Sequence, residues 1–289
     1  MSSGGGNRAG LGGQNAASGN AGPDAPWIAG HLCLDLKPEL GHTPDLSPGA
    51  LAEVGPLGTS VGGAVGNVGL ALARLGSRPH LLARSGHDPL AGLLRTVLGR
   101  DAHGATLHLV EADSSTSYTV VLKRPDADRT FLHHAGCNHD FAPEDLTSAV
   151  PAGAPLLHLG YPPLMRGLYR DEGRGLAEAL RSLRAAGTAV SLDMALPDPD
   201  GPSGRVDWRA FLQRVLPHVD LFVPSWGEIW TMLWPGAPVP APSRPGVRDV
   251  ADELLGFGPA LVGLKLGTDG LYLRSAGSER TATGTLPSL

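Results

Sequence analysis

The residues of this 289-residue chain best suited to chemistry begin with Ser60-Val-Gly-Gly-Ala-Val-Gly-Asn67. Gly62 and Gly63 stand just before a run in which Val68, Leu72 and Leu75 recur at helical spacing. Glycines there permit close backbone approach, and the helix that follows offers unpaired amides at its positive end. Asn67, in the first turn, brings a donor and an acceptor suited to a hydroxylated ligand. Close packing of strand on helix explains the same glycines without any ligand. Two phosphate motifs are excluded: no Gly-Lys pair marks a P-loop, and Gly63, Gly66 and Gly69 are not spaced G-x-G-x-x-G.

A second cluster, His133-His134, Cys137 and His139, has a zinc-like composition. Its spacing fits no common structural site, and adjacent strand residues face opposite ways, so metal binding there is disfavoured. Trp226, Trp230 and Trp234 recur at i, i+4 and i+8 and read as a packed apolar stripe rather than a stacking platform.

The elements that must position these residues alternate. Apolar runs at 27–34, 79–83, 155–159, 188–192, 220–223 and 260–266 predict buried strands. Helical periodicity fills 65–75, 89–98, 173–186, 208–215, 227–233 and 247–255. The expected fold class is α/β: a doubly wound, mostly parallel sheet with helices on both faces. Asp88-Pro89 supplies a helix cap and a first-turn proline, and Gly187 a left-handed helix end. Segments 117–123 and 129–133 flank a polar turn and predict a hairpin. With strand-like pieces between Asp35 and Gly58, the hairpin makes a small β-sheet lid.

A formal charge of -5 and only three lysines, Lys37, Lys123 and Lys265, argue against a nucleic-acid surface. Two cysteines make no disulfide framework, and no apolar run approaches the ~20 residues that span a bilayer, so a cytoplasmic location is expected. Residues 1–25, rich in Gly, Ser and Asn, predict a disordered tail ahead of one domain over 26–289.

Taken in order, Gly62-Gly63, Asn67, Ala73-Arg-Leu-Gly76 and Gly86-His-Asp88 resemble the first signature of the ribokinase-like, PfkB-type carbohydrate kinases. The resemblance continues through Gly136-Cys-Asn138, Asp193, Asp207-Trp208, the stretch from Asp220 to Glu228, and Leu266-Gly-Thr-Asp-Gly270. It implies a lidded α/β domain that transfers the γ-phosphoryl of ATP, with Mg²⁺, to a sugar or nucleoside hydroxyl. By the same resemblance Asp35, Gly62, Gly63, Asn67 and Asn138 bind the substrate. Ser225 (where the family has Asn), Glu228, Lys265, Gly267 and Gly270 serve the nucleotide, and Glu228 acts indirectly on the metal. Phosphoryl transfer needs positioning and charge stabilisation, so one carboxylate for the acceptor and another for Mg²⁺ are sensible parts. Simpler roles are open to each: Asp35 as a turn cap, Glu228 as an early-helix acid, Lys265 as an exposed strand-end cation.

The family's second signature, Gly-Ala-Gly-Asp, supplies an anion hole and the general base. No Gly-Asp dipeptide occurs in these 289 residues, and the base is expected beyond Leu289. Little or no turnover by this chain is therefore expected, since losing either part costs orders of magnitude in rate. A non-catalytic sugar- or nucleoside-binding module is the alternative. An exposed lid edge would suit pairing into a homodimer.

Overall fold

The computed structural model describes residues 24–124 and 129–277. The expected tail, all but its last two residues, the turn at 125–128 and the chain beyond 277 lie outside the described residues. The strands are β1 Trp27–Gly30, β2 Cys33–Pro38, β3 Leu57–Gly62, β4 His80–Ser85, β5 Thr106–Glu111, β6 Tyr118–Leu122, β7 Thr130–His134, β8 Leu156–Gly160, β9 Ala189–Asp193, β10 Leu221–Phe222, β11 Leu261–Lys265 and β12 Leu271–Ser275. The α-helices are α1 Leu70–Arg74, α2 Pro89–Asp101, α3 Pro143–Ala149, α4 Arg166–Tyr169, α5 Arg174–Ala185, α6 Trp208–Val215, α7 Trp226–Leu233 and α8 Arg244–Gly256.

Eight strands form the main sheet in the order β12-β11-β10-β9-β8-β1-β4-β5, parallel except for β12. From β1 the chain winds one way through β4 and β5, then returns to β8 and winds the other way. Strand order therefore reverses between β1 and β8. In open α/β sheets the crevice at the C-terminal ends of the strands flanking such a reversal is where ligands bind. Two apolar cores lie on the two faces: one joins Leu157, Val190 and Leu192 to the helices on its side, the other joins Ile28 and Leu81 to Leu94, Val97 and Leu98 of α2. Helix α5 shows why the pattern was readable, since Leu176, Ala177, Leu180 and Leu183 bury one stripe at helical spacing.

The lid is a four-stranded sheet, β3-β2-β6-β7. Three expectations change here. First, the apolar run over 27–34 is two strands in two sheets. Gly30 takes φ +117°, a conformation open to glycine, and a Cβ there would lie 2.5 Å from the Gly160 carbonyl oxygen. The chain breaks there, crosses at His31-Leu32 and enters the lid, so Asp35 lies inside a lid strand rather than at the end of a main-sheet strand. Second, residues 39–56 carry no strand, and Leu46 and Leu51 stand exposed. Third, the helix after Gly63 opens with a π-helical stretch, Val65–Gly69. Its i→i+5 bonding turns the helix out of α-phase, so Val65, Gly66, Gly69 and Leu70 are buried while Leu75 is 83% exposed. Gly66 and Gly69 fit this packing, because a Cβ would lie 2.8 Å from a Val61 methyl and 2.4 Å from a Leu81 methyl.

Strands β5 and β12 and helices α3 and α4 were not anticipated. Strand β5 lies at a half-exposed sheet edge and β12 alternates exposed and half-buried residues, so neither carries the solid apolar run of an inner strand. The expected hairpin is present as β6 and β7. Asp88 accepts from the Ala91 amide as a helix cap, and Gly187 takes φ +94°.

Where β8 meets the helix start, a Cβ on Gly160 would fall 2.1 Å from the Ala64 methyl. Gly160→Ala is therefore expected to cost about 1–3 kcal/mol by overpacking, read as a lower urea midpoint with an unchanged slope.

Candidate functional site

The crevice at the β1–β8 reversal is built from both sheets. On the lid side, register aligns Ser60, Asp35, Thr119 and His133 as one row across β3, β2, β6 and β7, all on one face. Ser60 Oγ donates to Asp35 Oδ2 at 3.3 Å, and Lys37 Nζ lies 3.6 Å from the same oxygen. Cys33, two residues before Asp35, shares that face, and its thiol donates to Asp35 Oδ1 at 3.5 Å. A cavity of about 790 Å³ extends from Asp35 along this face, lined also by Lys37, Val121, Lys123, Arg129 and Phe131.

The two glycines are explained by what they face. A Cβ on Gly62 would lie 2.4 Å from Asp35 Oδ1, and one on Gly63 2.4 Å from the His31 carbonyl oxygen. Gly63 also takes φ +83°. Close approach is thus a steric requirement of the Asp35 carboxylate and of the crossover. Asn67 is exposed and donates through Nδ2 to the Tyr161 hydroxyl at 3.3 Å, which places it at the rim beside the end of β8.

Asn138 has a different place from the one expected of a substrate ligand. It is fully buried, its Nδ2 donates to the Leu32 carbonyl at 2.9 Å, and its Oδ1 accepts from the Leu32 amide at 3.2 Å. Both ends of the amide hold the crossover, so Asn138 positions the site without facing the crevice.

On the opposite side, the ends of β9, β10 and β11 gather charged groups. Lys265 Nζ donates to both oxygens of Asp193, at 2.7 and 2.8 Å, and Asp193 Oδ1 also accepts from the Met194 amide. Lys265 is therefore an ion-pair partner rather than an unengaged strand-end cation. Burial pushes the Asp193 carboxyl above the usual carboxylate range, and Lys265 is the main force opposing that shift. Ser225 and Glu228 form a capping box at the start of α7, with Glu228 Oε2 accepting from the Ser225 amide at 2.7 Å. Burial raises Glu228 as well, and Asp193 adds to that rise while Lys265 counters it. Gly267 and Gly270, at φ +63° and +92°, close the turn from β11 to β12 with open space where a side chain would stand.

Sequence reasoning gave Asp193 and Ser60 no role, weighed His133 only in a disfavoured metal cluster, and missed Thr119, His31 and Tyr161. Period-two alternation from Asp35 through the hairpin register could have found Thr119 and His133. Nothing local signals the Asp193–Lys265 pair, which spans 72 residues. The histidine-cysteine run does not assemble as a cluster: Cys137 donates to the Arg84 carbonyl, His134 pairs with Ser115 and His139 accepts from the Arg166 amide. His133 instead turns toward His31. The tryptophan stripe packs as expected, with Trp226 buried and successive rings 5.3 and 4.3 Å apart.

A lidded α/β sheet whose strand order reverses agrees with what comparison with known proteins finds. The model of the pfkB family carbohydrate kinases matches residues 30–287. The chain belongs to that family. Among relatives of this pfkB chain, aminoimidazole riboside kinase of Salmonella typhimurium is 29% identical over 122 residues, 42% of this chain and 34% of the relative. Probable fructokinase-3 of Arabidopsis thaliana is 28% identical over 181 residues, 60% of this chain and 48% of the relative. The chain thus spans a third to a half of the length of these curated relatives. The solved structure of Arabidopsis thaliana ribokinase, complexed with ribose and ATP, superposes with a TM-score of 0.63 at 19% identity over 88% of this chain and 76% of that one, which shows the shared fold. Among the described residues, no helix is long and apolar enough to cross a membrane.

Two outcomes are expected of this pfkB site. A double-mutant cycle between Asp193→Asn and Lys265→Met should give a coupling of about 1–3 kcal/mol, below that of a fully buried pair because Lys265 is 41% exposed. Glu228→Gln keeps an acceptor for the Ser225 amide but removes a buried charge. Because the folded-state pKa of Glu228 is raised, the wild type loses stability as pH rises through it. The Gln variant should match the wild type below the ordinary carboxylate pKa and become progressively the more stable above it, as melting temperatures across pH would show.

Proposed function

We propose that this chain carries the acceptor- and nucleotide-binding framework of an ATP-dependent kinase acting on a hydroxyl of a sugar or nucleoside. One observation carries the reading: the crevice at the strand-order reversal has a hydrogen-bonding row, Ser60–Asp35–Thr119–His133, on its lid side and the Asp193, Glu228 and Lys265 group on its sheet side. Asp35 accepts from acceptor hydroxyls and fixes their orientation, Asn67 adds a donor and an acceptor at the rim, and Gly62 and Gly63 keep the backbone close. Asn138 holds the crossover behind them. The names of the relatives, a riboside kinase and a fructokinase, support a polyhydroxylated acceptor.

Glu228 and Asp193 suit Mg²⁺, a hard cation commonly held by one or two carboxylates, water and substrate phosphates. Burial leaves Glu228 short of compensating charge, which a cation would supply. Ser225, Lys265 and the open turn at Gly267 and Gly270 complete the nucleotide side. When bound, Mg²⁺ neutralises phosphate charge during transfer. The lid excludes water from the crevice, and its outer strand β7, exposed at all five residues, supports pairing with a second copy.

These 289 residues contain no Gly-Asp dipeptide, so binding with turnover reduced by at least ~10² is proposed for the chain as given. Calorimetry with a panel of pentoses, hexoses and ribosides, alongside product detection from labelled ATP, tests both parts. Asp35→Asn should weaken acceptor binding at least ~10-fold and spare Mg-ATP binding, and Glu228→Gln should do the reverse. Acceptor binding indifferent to Asp35→Asn, or no ligand bound by the wild type, would refute the reading. Fast product formation would refute the reduced turnover alone.

A further inference from the structure

The crossover from β1 to the lid brings His31 and Cys33 beside His133 of β7, although 102 residues separate the two histidines. One ligating atom from each of the three lies within 4.8 Å of the others. The two imidazoles meet through their Nε2 atoms at 3.3 Å. Zinc–nitrogen bonds of about 2.0–2.1 Å at a tetrahedral centre put neighbouring nitrogens about 3.3 Å apart, so the two rings, which share an N–H···N contact at this distance, need no movement to bind one ion.

The surroundings set up the ligands. Thr119 Oγ1 donates to Cys33 Sγ at 3.5 Å and lies 2.9 Å from His133 Nδ1. With its own proton engaged, Thr119 accepts from His133 Nδ1–H, which leaves the Nε2 lone pair of His133 facing His31. That is the outer-sphere arrangement of a metal-bound histidine. His31 is buried, at 2% exposure, and its Nδ1 has no hydrogen-bond partner. Asp35 Oδ1, 3.5 Å from the sulfur, is in reach of a fourth position.

We propose that His31, Cys33 and His133 form a site for a zinc-class divalent ion at the base of the lid. Two imidazoles and a thiolate select such an ion over magnesium, so the site is chemically distinct from the carboxylates at Glu228 and Asp193. Cys33 ligates as the thiolate, so binding exchanges one thiol proton, released to solvent, for one metal–sulfur bond. The ion ties β2 and β7 of the lid to the crossover that leaves the main sheet.

The test uses the full 289-residue chain, stripped with chelator and titrated with Co²⁺ as the spectroscopic probe, then with Zn²⁺ in competition. A single equivalent of Co²⁺ should give tetrahedral visible bands and a thiolate-to-cobalt charge-transfer band, all displaced by Zn²⁺. Cys33→Ser, which keeps the side-chain volume, should abolish the charge-transfer band. His133→Ala, at an exposed position, should abolish tight binding while circular dichroism stays unchanged. Thr119→Val should weaken affinity by roughly 10- to 100-fold. His134→Ala and Cys137→Ser should bind as the wild type does. Absence of a charge-transfer band at saturating Co²⁺, its survival in Cys33→Ser, or undiminished affinity in His133→Ala overturns the proposal.

Discussion

The site depends on one constraint: where β1 leaves the main sheet, two residues, His31 and Leu32, must cross to the lid with their backbone polar groups buried. Unpaired buried amides and carbonyls are costly, so each must find a partner away from a regular ladder. The His31 amide donates to the Gly160 carbonyl, the His31 carbonyl accepts from the Val65 amide, and Leu32 is bonded at both its amide and its carbonyl by Asn138. These bonds tie the crossover to β8, to the glycine-rich helix and to the turn after β7. Cys33 and Asp35 inherit their directions from that knot.

Close approach follows from the same knot. Gly30, Gly63 and Gly160 stand where a Cβ would meet a backbone oxygen or a fixed methyl, and Gly62 where it would meet the Asp35 carboxylate. A larger residue at any of them would have to displace the group it faces. The glycine-rich signature is in this sense a packing device that sets the Asp35 row against the crossover and leaves Asn67 exposed at the rim.

Opposite the lid, electrostatics rather than sterics dominates. Asp193 and Glu228 are carboxylates drawn out of water at the strand ends, with Lys265 as their nearby cation. Burial raises both acids, and Lys265 offsets only part of that cost. The balance at this end of the sheet is therefore one of burial against a single nearby cation.

Much of the fold was legible because it rests on local periodicity. Helix α5 shows its stripe, and Asp88 and Gly187 punctuate helices by intrinsic backbone preference. The ordered landmarks from Gly62 to Gly270 likewise pointed to the family. The break at Gly30 was not legible, since an apolar run reads the same whether it continues in one sheet or crosses to another. The π-helical stretch at Val65–Gly69 was hidden too, because only packing against β3 and β4 selects it over an α-helix. Asn138 was placed on the substrate side by the resemblance of Gly136-Cys-Asn138 to the family, and only the fold shows its amide committed to Leu32. What the sequence determined by itself was therefore the elements and the residue types available to a site. Tertiary structure alone decided which of them meet, as with Lys265 and Asp193 or His31 and His133, because strand register and the crossover act between residues far apart in the chain.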